Sequence, residues 1–352
     1  MTLHEDVDYR TFDLHGSHAH AGYALGCADP PFRMQSWWFP PPPDRFARSC
    51  AAVVREFHPH MIDEWRAYAD GQRLHVDELW RQCCRVNLKA RLRAHDYARE
   101  YGEGCSTFVW HTPGGAALVG RNYDYWPLQL RRQRIRFTPD CCAVPTLGAR
   151  GGVPCGRYDG MNAHGVFVSL HVVMTDTPAE DDVRPGVPFH LVGRIALELC
   201  HSAREARDLL LDMPHISSLN YLVADARDAW IIEADPRRVR ALERDGAVTA
   251  ATNHYRHPDM TPLQGRRTHT NSQCRLDFLC APRSAPADVD ALLAHAQHIM
   301  ADRSVPMSGA SGALTTLWSC VAELRSRRIR YAAGRPDHAE FTEFEMGGGG
   351  AV

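Results

Sequence analysis

The sequence lacks the segments that direct a chain to a membrane or across one. Its first residues, MTLHEDVDYRTFDLHG, contain no basic start followed by an apolar run. No later stretch is apolar over the length that a membrane-spanning helix needs. No Cys-x-x-Cys pair occurs among the 12 cysteines, so neither a zinc ribbon nor a thioredoxin-like site is indicated. We therefore expect a cytoplasmic protein with reduced thiols and no membrane partner.

Nucleotide-binding and metalloprotease motifs are missing too. There is no Walker A loop, no Gly-x-Gly-x-x-Gly after a strand and no His-Glu-x-x-His. A formal net charge of −2 gives no electrostatic basis for binding nucleic acid. We expect no cofactor and no metal, although a metal-dependent amidohydrolase that uses the histidine-rich stretches is a rival reading. Those histidines are His15, His18, His20, His58 and His60.

The pattern of apolar residues changes at Cys105. Before it, a stripe that begins Val76, Leu79, Trp80 and Cys83 has the spacing of a helix face. After it, β-rich runs are joined by turn signals at HTPGG, at 162–165 and at 225–228, and a fourth hairpin is predicted over 238–255. Strands and helices in alternating groups predict an α+β protein whose antiparallel sheets carry helices on their outer faces.

Cys105 stands where this change occurs, directly after Gly104, with Arg121 and Asp124 following it. A thiol attacks a carbonyl only as the thiolate, so a catalytic cysteine needs a base or a positive neighbour. The α-amino group of a chain that begins at Cys105, with a pKa of about 7.7–8.0, is one such base. That base requires cleavage of the preceding bond. Gly104 lacks a Cβ, which lets the thiol approach its carbonyl.

Several motifs together resemble one family. Gly104-Cys105-Ser106-Thr107 is similar to a processing site, and Gly120-Arg121-Asn122-Tyr123-Asp124 to a turn that follows it. The stretches Asp159 to Val166, AATNHY, CRLDFL and TLWSC continue the resemblance. The sequence thus resembles the N-terminal-nucleophile hydrolases of the penicillin acyltransferase-like and choloylglycine hydrolase group.

The resemblance implies a four-layer αββα sandwich made by a precursor that cuts itself at Gly104–Cys105. Residues 1–104 would be a largely helical pro-segment, and residues 105–352 the catalytic chain, together one structural unit. We expect the pro-segment to stay bound as a small subunit, because its apolar helix stripe must remain covered. A higher oligomer is left open.

The resemblance also assigns roles to residues. Cys105 would be the nucleophile, Arg121 would hold its thiolate, and Asp124, expected at an exposed turn, would hold the new α-amino group. Asn253 would stabilise the oxyanion. The residues expected to bind substrate are Arg275, Tyr123, Trp126, His171 and Ser319. His171 stands near a position where choloylglycine hydrolases carry asparagine, so bile-salt specificity does not follow.

The predicted reaction is hydrolysis of a linear, non-peptide amide of a small molecule through an acyl-Cys105 intermediate. The alternative is an acyltransferase that passes the acyl group to an amine, since both reactions share that intermediate. A more distant alternative is a non-catalytic binding protein on the same fold. Aromatic residues after the nucleophile favour an apolar acyl group if they line the pocket, and no acidic patch for a second amine is evident. The sequence therefore favours hydrolysis.

Overall fold

The computed structural model describes residues 7–32, 42–92, 104–127, 129, 131–141, 143–175, 184–264, 270–281, 283–302 and 314–346, with backbone alone for 86–92. The helices in these residues are α1 His18–Ala28, α2 Asp44–Phe57, α3 Pro59–Gly71, α4 Val76–Leu92, α5 Phe189–Leu199, α6 Ala203–Asp212, α7 Thr270–Cys280 and α8 Val289–Ala301. The strands are β1 Thr11–Gly16, β2 Ser106–His111, β3 Ala117–Tyr125, β4 Gln133–Pro139, β5 Thr146–Arg150, β6 Asp159–Asn162, β7 Phe167–Val172, β8 Leu219–Ala224, β9 Ala229–Asp235, β10 Arg238–Glu243, β11 Val248–Ala251, β12 Thr315–Glu323, β13 Arg328–Ala332 and β14 Phe341–Glu345. None of the helices described is long and apolar enough to cross a membrane.

The strands form two sheets. One has eight strands in the order β1-β4-β5-β6-β7-β8-β9-β10, and the other has six in the order β11-β2-β3-β12-β13-β14. Neighbouring strands are antiparallel except for β1 and β4, which are parallel. The strands in the middle of both sheets are buried except at the last residue of β3 and of β7, as expected when each sheet is covered on both faces.

Helices cover the outer face of each sheet. Leu276 and Leu279 of α7, with Leu292 and Leu293 of α8, pack on the six-stranded sheet. Helices α5 and α6 cover the eight-stranded sheet. The α5 helix is buried from His190 to Glu198, and Trp65 of α3, in the predicted pro-segment, contacts its His190 ring. The predicted αββα sandwich of antiparallel sheets between helices is confirmed.

The predicted pro-segment is part of this architecture. It supplies helices α1 to α4 and also β1, which joins the edge of the eight-stranded sheet beside β4. Its carboxylates form buried ion pairs with the rest of the chain, Asp29 with Arg150 at 2.6 Å and Glu64 with Arg194 at 2.5 Å. The boundary between pro-segment and catalytic chain remains a prediction.

Two local predictions are wrong. The fourth hairpin is absent, because β10 pairs with β9 whereas β11 pairs with β2 in the other sheet. The chain does turn near Gly246, whose φ is +88°, but the turn carries it from one sheet to the other. The 120–124 motif is the buried second half of strand β3 and not a turn.

Candidate active site

The β2–β3 hairpin brings Cys105 beside Arg121 and Asp124. Thr107 pairs with Arg121 across the hairpin, so the residues at the end of β3 return to the start of β2. The Cys105 Sγ lies 3.7 Å from the Asp124 carbonyl oxygen and 3.9 Å from Nη2 of Arg121. The thiol is 4% exposed. Burial raises its pKa, and the Arg121 guanidinium opposes that shift.

The backbone at this junction is strained. Cys105 has a φ of +53°, in the left-handed region that residues with a Cβ rarely occupy. Gly104 lies so close to β3 that an added Cβ would stand 2.7 Å from the Asp124 carbonyl oxygen. Only glycine fits there without displacing the end of β3.

Arg121 is fully buried between the sheets and held on several sides. Its Nη2 donates to the Leu170 carbonyl at 2.8 Å, its Nη1 to the Thr107 hydroxyl at 3.3 Å and its Nε to Asp159 at 3.4 Å. A buried guanidinium with this many acceptors keeps both its charge and its orientation. The positive charge is therefore fixed beside the thiol.

Asp159 is a site residue to which sequence reasoning gave no role. Its carboxylate accepts hydrogen bonds from the Trp318 indole at 2.8 Å and from the Tyr331 hydroxyl at 3.0 Å, as well as from Arg121. Burial raises the pKa of Asp159, and the Arg121 charge lowers it. Two facts could have indicated Asp159 from the sequence. A buried arginine needs a carboxylate partner, and Asp159 opens the motif from Asp159 to Val166 that the sequence analysis noted.

Asp124 is 3% exposed, so the expectation of an exposed turn residue is wrong. Its carboxylate accepts the Thr316 hydroxyl at 2.6 Å and a hydrogen bond from the backbone N–H of Cys105. Burial raises the pKa of Asp124 to about 6, although both hydrogen bonds pull it down. Most of this carboxylate is therefore ionised at neutral pH, and it faces the nitrogen of Cys105.

Arg275 connects the nucleophile to Asn253. From helix α7, its Nη1 donates to the Cys105 carbonyl at 2.6 Å and to the Ser106 hydroxyl at 2.9 Å, and its Nη2 donates to Asn253 Oδ1 at 3.0 Å. The Asn253 Nδ2 donates to the Val172 carbonyl at 2.8 Å. The buried Arg275 guanidinium thus fixes the position of Asn253, the predicted oxyanion donor, relative to Cys105 at the start of β2.

Two of the predicted substrate-binding residues lie next to Arg121. The Tyr123 ring stacks on Trp318 with centroids 4.0 Å apart, and the Arg121 Cζ is 5.5 Å from the Tyr123 centroid. His171 Nε2 is 2.9 Å from the Thr107 hydroxyl that also accepts from Arg121. Burial and the Arg121 charge keep the pKa of His171 well below its usual range, so this imidazole is neutral.

The other two are placed differently. Trp126 follows the end of β3 and is half-buried. Ser319 donates to Asn122 Oδ1 at 2.7 Å, and Asn122 in turn donates to a carbonyl of helix α8. Since side chains alternate along a strand, Ser319 faces the helices, whereas Arg121 faces the other sheet. The structure does not bring Ser319 to Cys105.

Two antiparallel sheets packed face to face between layers of helices are the fold of the N-terminal-nucleophile hydrolases, and this chain has that fold. Residues 110–338, more than half of the chain, match the family model described as acyl-coenzyme A:6-aminopenicillanic acid acyl-transferase. The chain belongs to this family. It is thus an enzyme of the amidase and acyltransferase class. The matched segment begins just after Cys105, so the nucleophile position itself rests on the geometry above.

Three solved structures have a similar arrangement. Penicillin V acylase from Agrobacterium tumefaciens is 15% identical, with 65% of this chain and 83% of that chain covered and a TM-score of 0.42. A Caenorhabditis elegans N-acylethanolamine-hydrolyzing acid amidase ortholog is 16% identical, with coverages of 62% and 92% and a TM-score of 0.46. A mutant of conjugated bile acid hydrolase from Clostridium perfringens is 13% identical, with coverages of 69% and 97% and a TM-score of 0.38. No curated protein matches the sequence.

Proposed function

We propose that the chain is a self-processing cysteine hydrolase that cuts its own Gly104–Cys105 bond and then cleaves a linear, non-peptide amide through acyl-Cys105. One observation carries the proposal. The thiol of Cys105 lies 3.9 Å from the Arg121 guanidinium and 3.7 Å from the Asp124 carbonyl oxygen, and the backbone N–H of the same residue is near enough to the buried Asp124 carboxylate to lower its pKa. After cleavage that nitrogen is an α-amino group whose carboxylate partner is already in position.

Self-cleavage uses the same thiol. The Cys105 sulfur attacks the Gly104 carbonyl carbon, a C–S bond forms, the C–N bond breaks, and the nitrogen takes the thiol proton. Water then hydrolyses the thioester and releases the Gly104 carboxylate. The φ of +53° at Cys105 favours this step, since a residue in that region stores about 1–3 kcal/mol of strain. Cleavage removes the peptide bond that imposes this strain.

Turnover follows with the α-amino group as the base. It takes the thiol proton, and its pKa of about 7.7–8.0 is close to the pKa of about 8.5 of an ordinary thiol. Asn253 and a backbone N–H stabilise the oxyanion that forms on the substrate carbonyl. The amine leaves with the proton, and water releases the acid from Cys105. Arg275 supports both stages, because it bonds the Cys105 carbonyl and Asn253 together.

The pro-segment, residues 1–104, is proposed to remain as a small subunit. Cutting after Gly104 breaks none of the contacts that hold it. The Asp29–Arg150 and Glu64–Arg194 ion pairs have no exposed side chain, and breaking such a pair leaves an uncompensated buried charge. The mature enzyme is then a heterodimer of two chains made from one precursor.

The acyl group is proposed to be apolar. The stacked Tyr123 and Trp318 rings lie between the sheets on the Arg121 side of β3, and the half-buried Trp126 follows the end of the strand. Acyl transfer to an amine is the second candidate, favoured by the family description, which names an acyl-transferase. The two are separated by supplying one amide substrate with rising concentrations of amines. Hydrolysis predicts that free acid remains the main product at millimolar amine.

Intact mass spectrometry tests the proposal. Purified protein should contain two chains, the larger starting at Cys105, and incubation with an amide library should add one acyl mass to that chain. Cys105→Ala should stay whole, whereas Cys274→Ala, which removes an exposed thiol, should be processed like the wild type. An active protein that is not cut before Cys105 contradicts the mechanism. Folded protein with neither cleavage nor acylation would instead be the non-catalytic binding protein.

A further inference from the structure

A second cluster of reactive side chains lies where the pro-segment meets the rest of the chain. The Nε2 atoms of His18 and His58 both face Oε2 of Glu198, at 2.7 and 3.0 Å. The three ligand atoms all lie within 4.8 Å of one another. Each residue is 3% exposed or less. The cluster contains none of the residues around Cys105.

The fold orients the carboxylate in this cluster. His18 begins helix α1, His58 joins α2 to α3, and Glu198 is in the last turn of α5. Arg194, one turn earlier on α5, donates to the other carboxylate oxygen, Oε1, at 2.6 Å. Its remaining nitrogens are held by Glu64. Glu198 Oε2 is therefore directed at the two imidazoles, as an outer partner directs a metal-ligating carboxylate.

The chemistry of the three side chains also suits a metal cation. Two imidazoles and one carboxylate are a ligand set that zinc and its neighbours in the transition series accept.

We propose that His18, His58 and Glu198 bind one divalent transition-metal ion of the zinc type. Neighbouring ligand atoms around a tetrahedral zinc, with bonds of about 2.0–2.1 Å, are about 3.3 Å apart. The observed separations of 2.7 and 3.0 Å need to open by only a few tenths of an ångström. The ion would be structural, since the thiol chemistry takes place at Cys105.

A surface cavity adjoins the cluster at His18. It has a volume of about 330 Å³, and its lining includes His18, His60 and Asp63. The His60 ring stacks on His18 with centroids 5.5 Å apart. A fourth ligand would come from this side, either water or His60, and the wall carries Asp63, Arg66 and Asp70.

The location gives the ion a role. His18 and His58 belong to the pro-segment, whereas Glu198 belongs to the catalytic chain. An ion bound by all three would join the two chains, a role that rests on the proposed self-cleavage. Binding of the ion itself does not rest on self-cleavage, because the three residues are also together in the uncut chain.

The test is metal binding by the full-length Cys105→Ala protein, which removes the nucleophilic thiol and any effect of cleavage. After chelator treatment and dialysis, Zn²⁺ titration should give one ion per chain. His18→Gln and His58→Gln should each weaken binding at least tenfold. His20→Gln is the matched control, since His20 is exposed on the same helix and should bind like the parent. Co²⁺ should give a spectrum of nitrogen and oxygen ligands without thiolate charge transfer.

Three results would overturn the proposal: no binding at micromolar Zn²⁺, binding by both cluster variants that is as tight as binding by the parent, or a thiolate spectrum. If either variant fails to fold, the melting temperature of the parent Cys105→Ala protein is measured with and without saturating Zn²⁺. An unchanged melting temperature would also overturn the proposal. The bridging role is tested in cleaved wild-type protein, where chelator should speed dissociation of the chains. A protein that never cleaves but binds zinc keeps the metal site and loses only the self-processing.

Discussion

Replacing Gly104 by alanine tests whether the close approach of this residue to β3 is needed for self-cleavage. The added Cβ would meet the Asp124 carbonyl oxygen at 2.7 Å and the Asp124 Cβ at 2.8 Å. Carbon atoms rest about 3.5–4.0 Å from their neighbours, so the backbone at the junction must move by on the order of 1 Å. Overpacking of this size costs about 1–3 kcal/mol of stability. A 1 Å misplacement of reacting groups costs about 10²-fold in rate, and we expect processing to slow by that factor.

A pulse of cell-free translation followed by a chase measures the rate, with cut and uncut chains separated on gels and the new N-terminus found by mass spectrometry. The matched control is Gly114→Ala in the β2–β3 turn, where the added Cβ would have its nearest neighbour at 3.9 Å. That variant should be processed at the wild-type rate. If folded Gly104→Ala is cut as fast as the control, the argument from close approach is refuted.

Three further predictions concern single residues. Asp124→Asn keeps the size of the side chain and can still accept the Thr316 hydrogen bond, so circular dichroism should show an unchanged fold. The kcat should fall about 10²-fold, because the α-amino group loses its anionic partner. A wild-type kcat would remove Asp124 from the mechanism. Ser319→Ala should leave kcat/KM unchanged. It should lower the free energy of unfolding by about 1–3 kcal/mol, because the buried oxygens that accept from the Ser319 hydroxyl lose their donor. A large loss of activity would show that Ser319 belongs to the active site after all. Burial raises the pKa of Asp29, but Arg150 and its other partners hold it below its usual value, so its stabilisation is present above pH 3.8 and is lost as pH falls further. The melting temperatures of wild type and Asp29→Asn should therefore differ at neutral pH and converge below that value, and a constant difference would contradict the assignment.

Local sequence signals predicted much of the fold and the first residues of the site. The β2–β3 hairpin could be read from its turn, and its register then brings Arg121 back to the start of β2. The partner of β11 could not be read, because a turn signal at Gly246 fixes where the chain reverses and not which sheet it enters. The orientation of Ser319 could not be read from the sequence either. Which side of the sheet its side chain faces depends on the irregularity between Thr316 and Trp318 in the β12–β3 pairing.

Contacts between distant segments were beyond these signals. Asp159 reaches Arg121 from the opposite sheet, and no spacing rule connects the two. Glu198 lies 180 residues after His18 and 140 after His58, so its position beside them could not be read from the sequence. The expectation of no metal was formed without this carboxylate.

Strand β1 has a consequence for how the catalytic chain can be produced. It covers one edge of the eight-stranded sheet, pairing from Thr11 to Gly16 along β4. Its own outer edge carries Asp13 and His15, and charged side chains discourage pairing with another chain. Without it, β4 would offer a row of open N–H and C=O groups at which sheets of separate molecules can join. The first residues of the chain thus protect this sheet edge, and residues 105–352 expressed alone should aggregate even if the preceding residues contribute nothing to the chemistry.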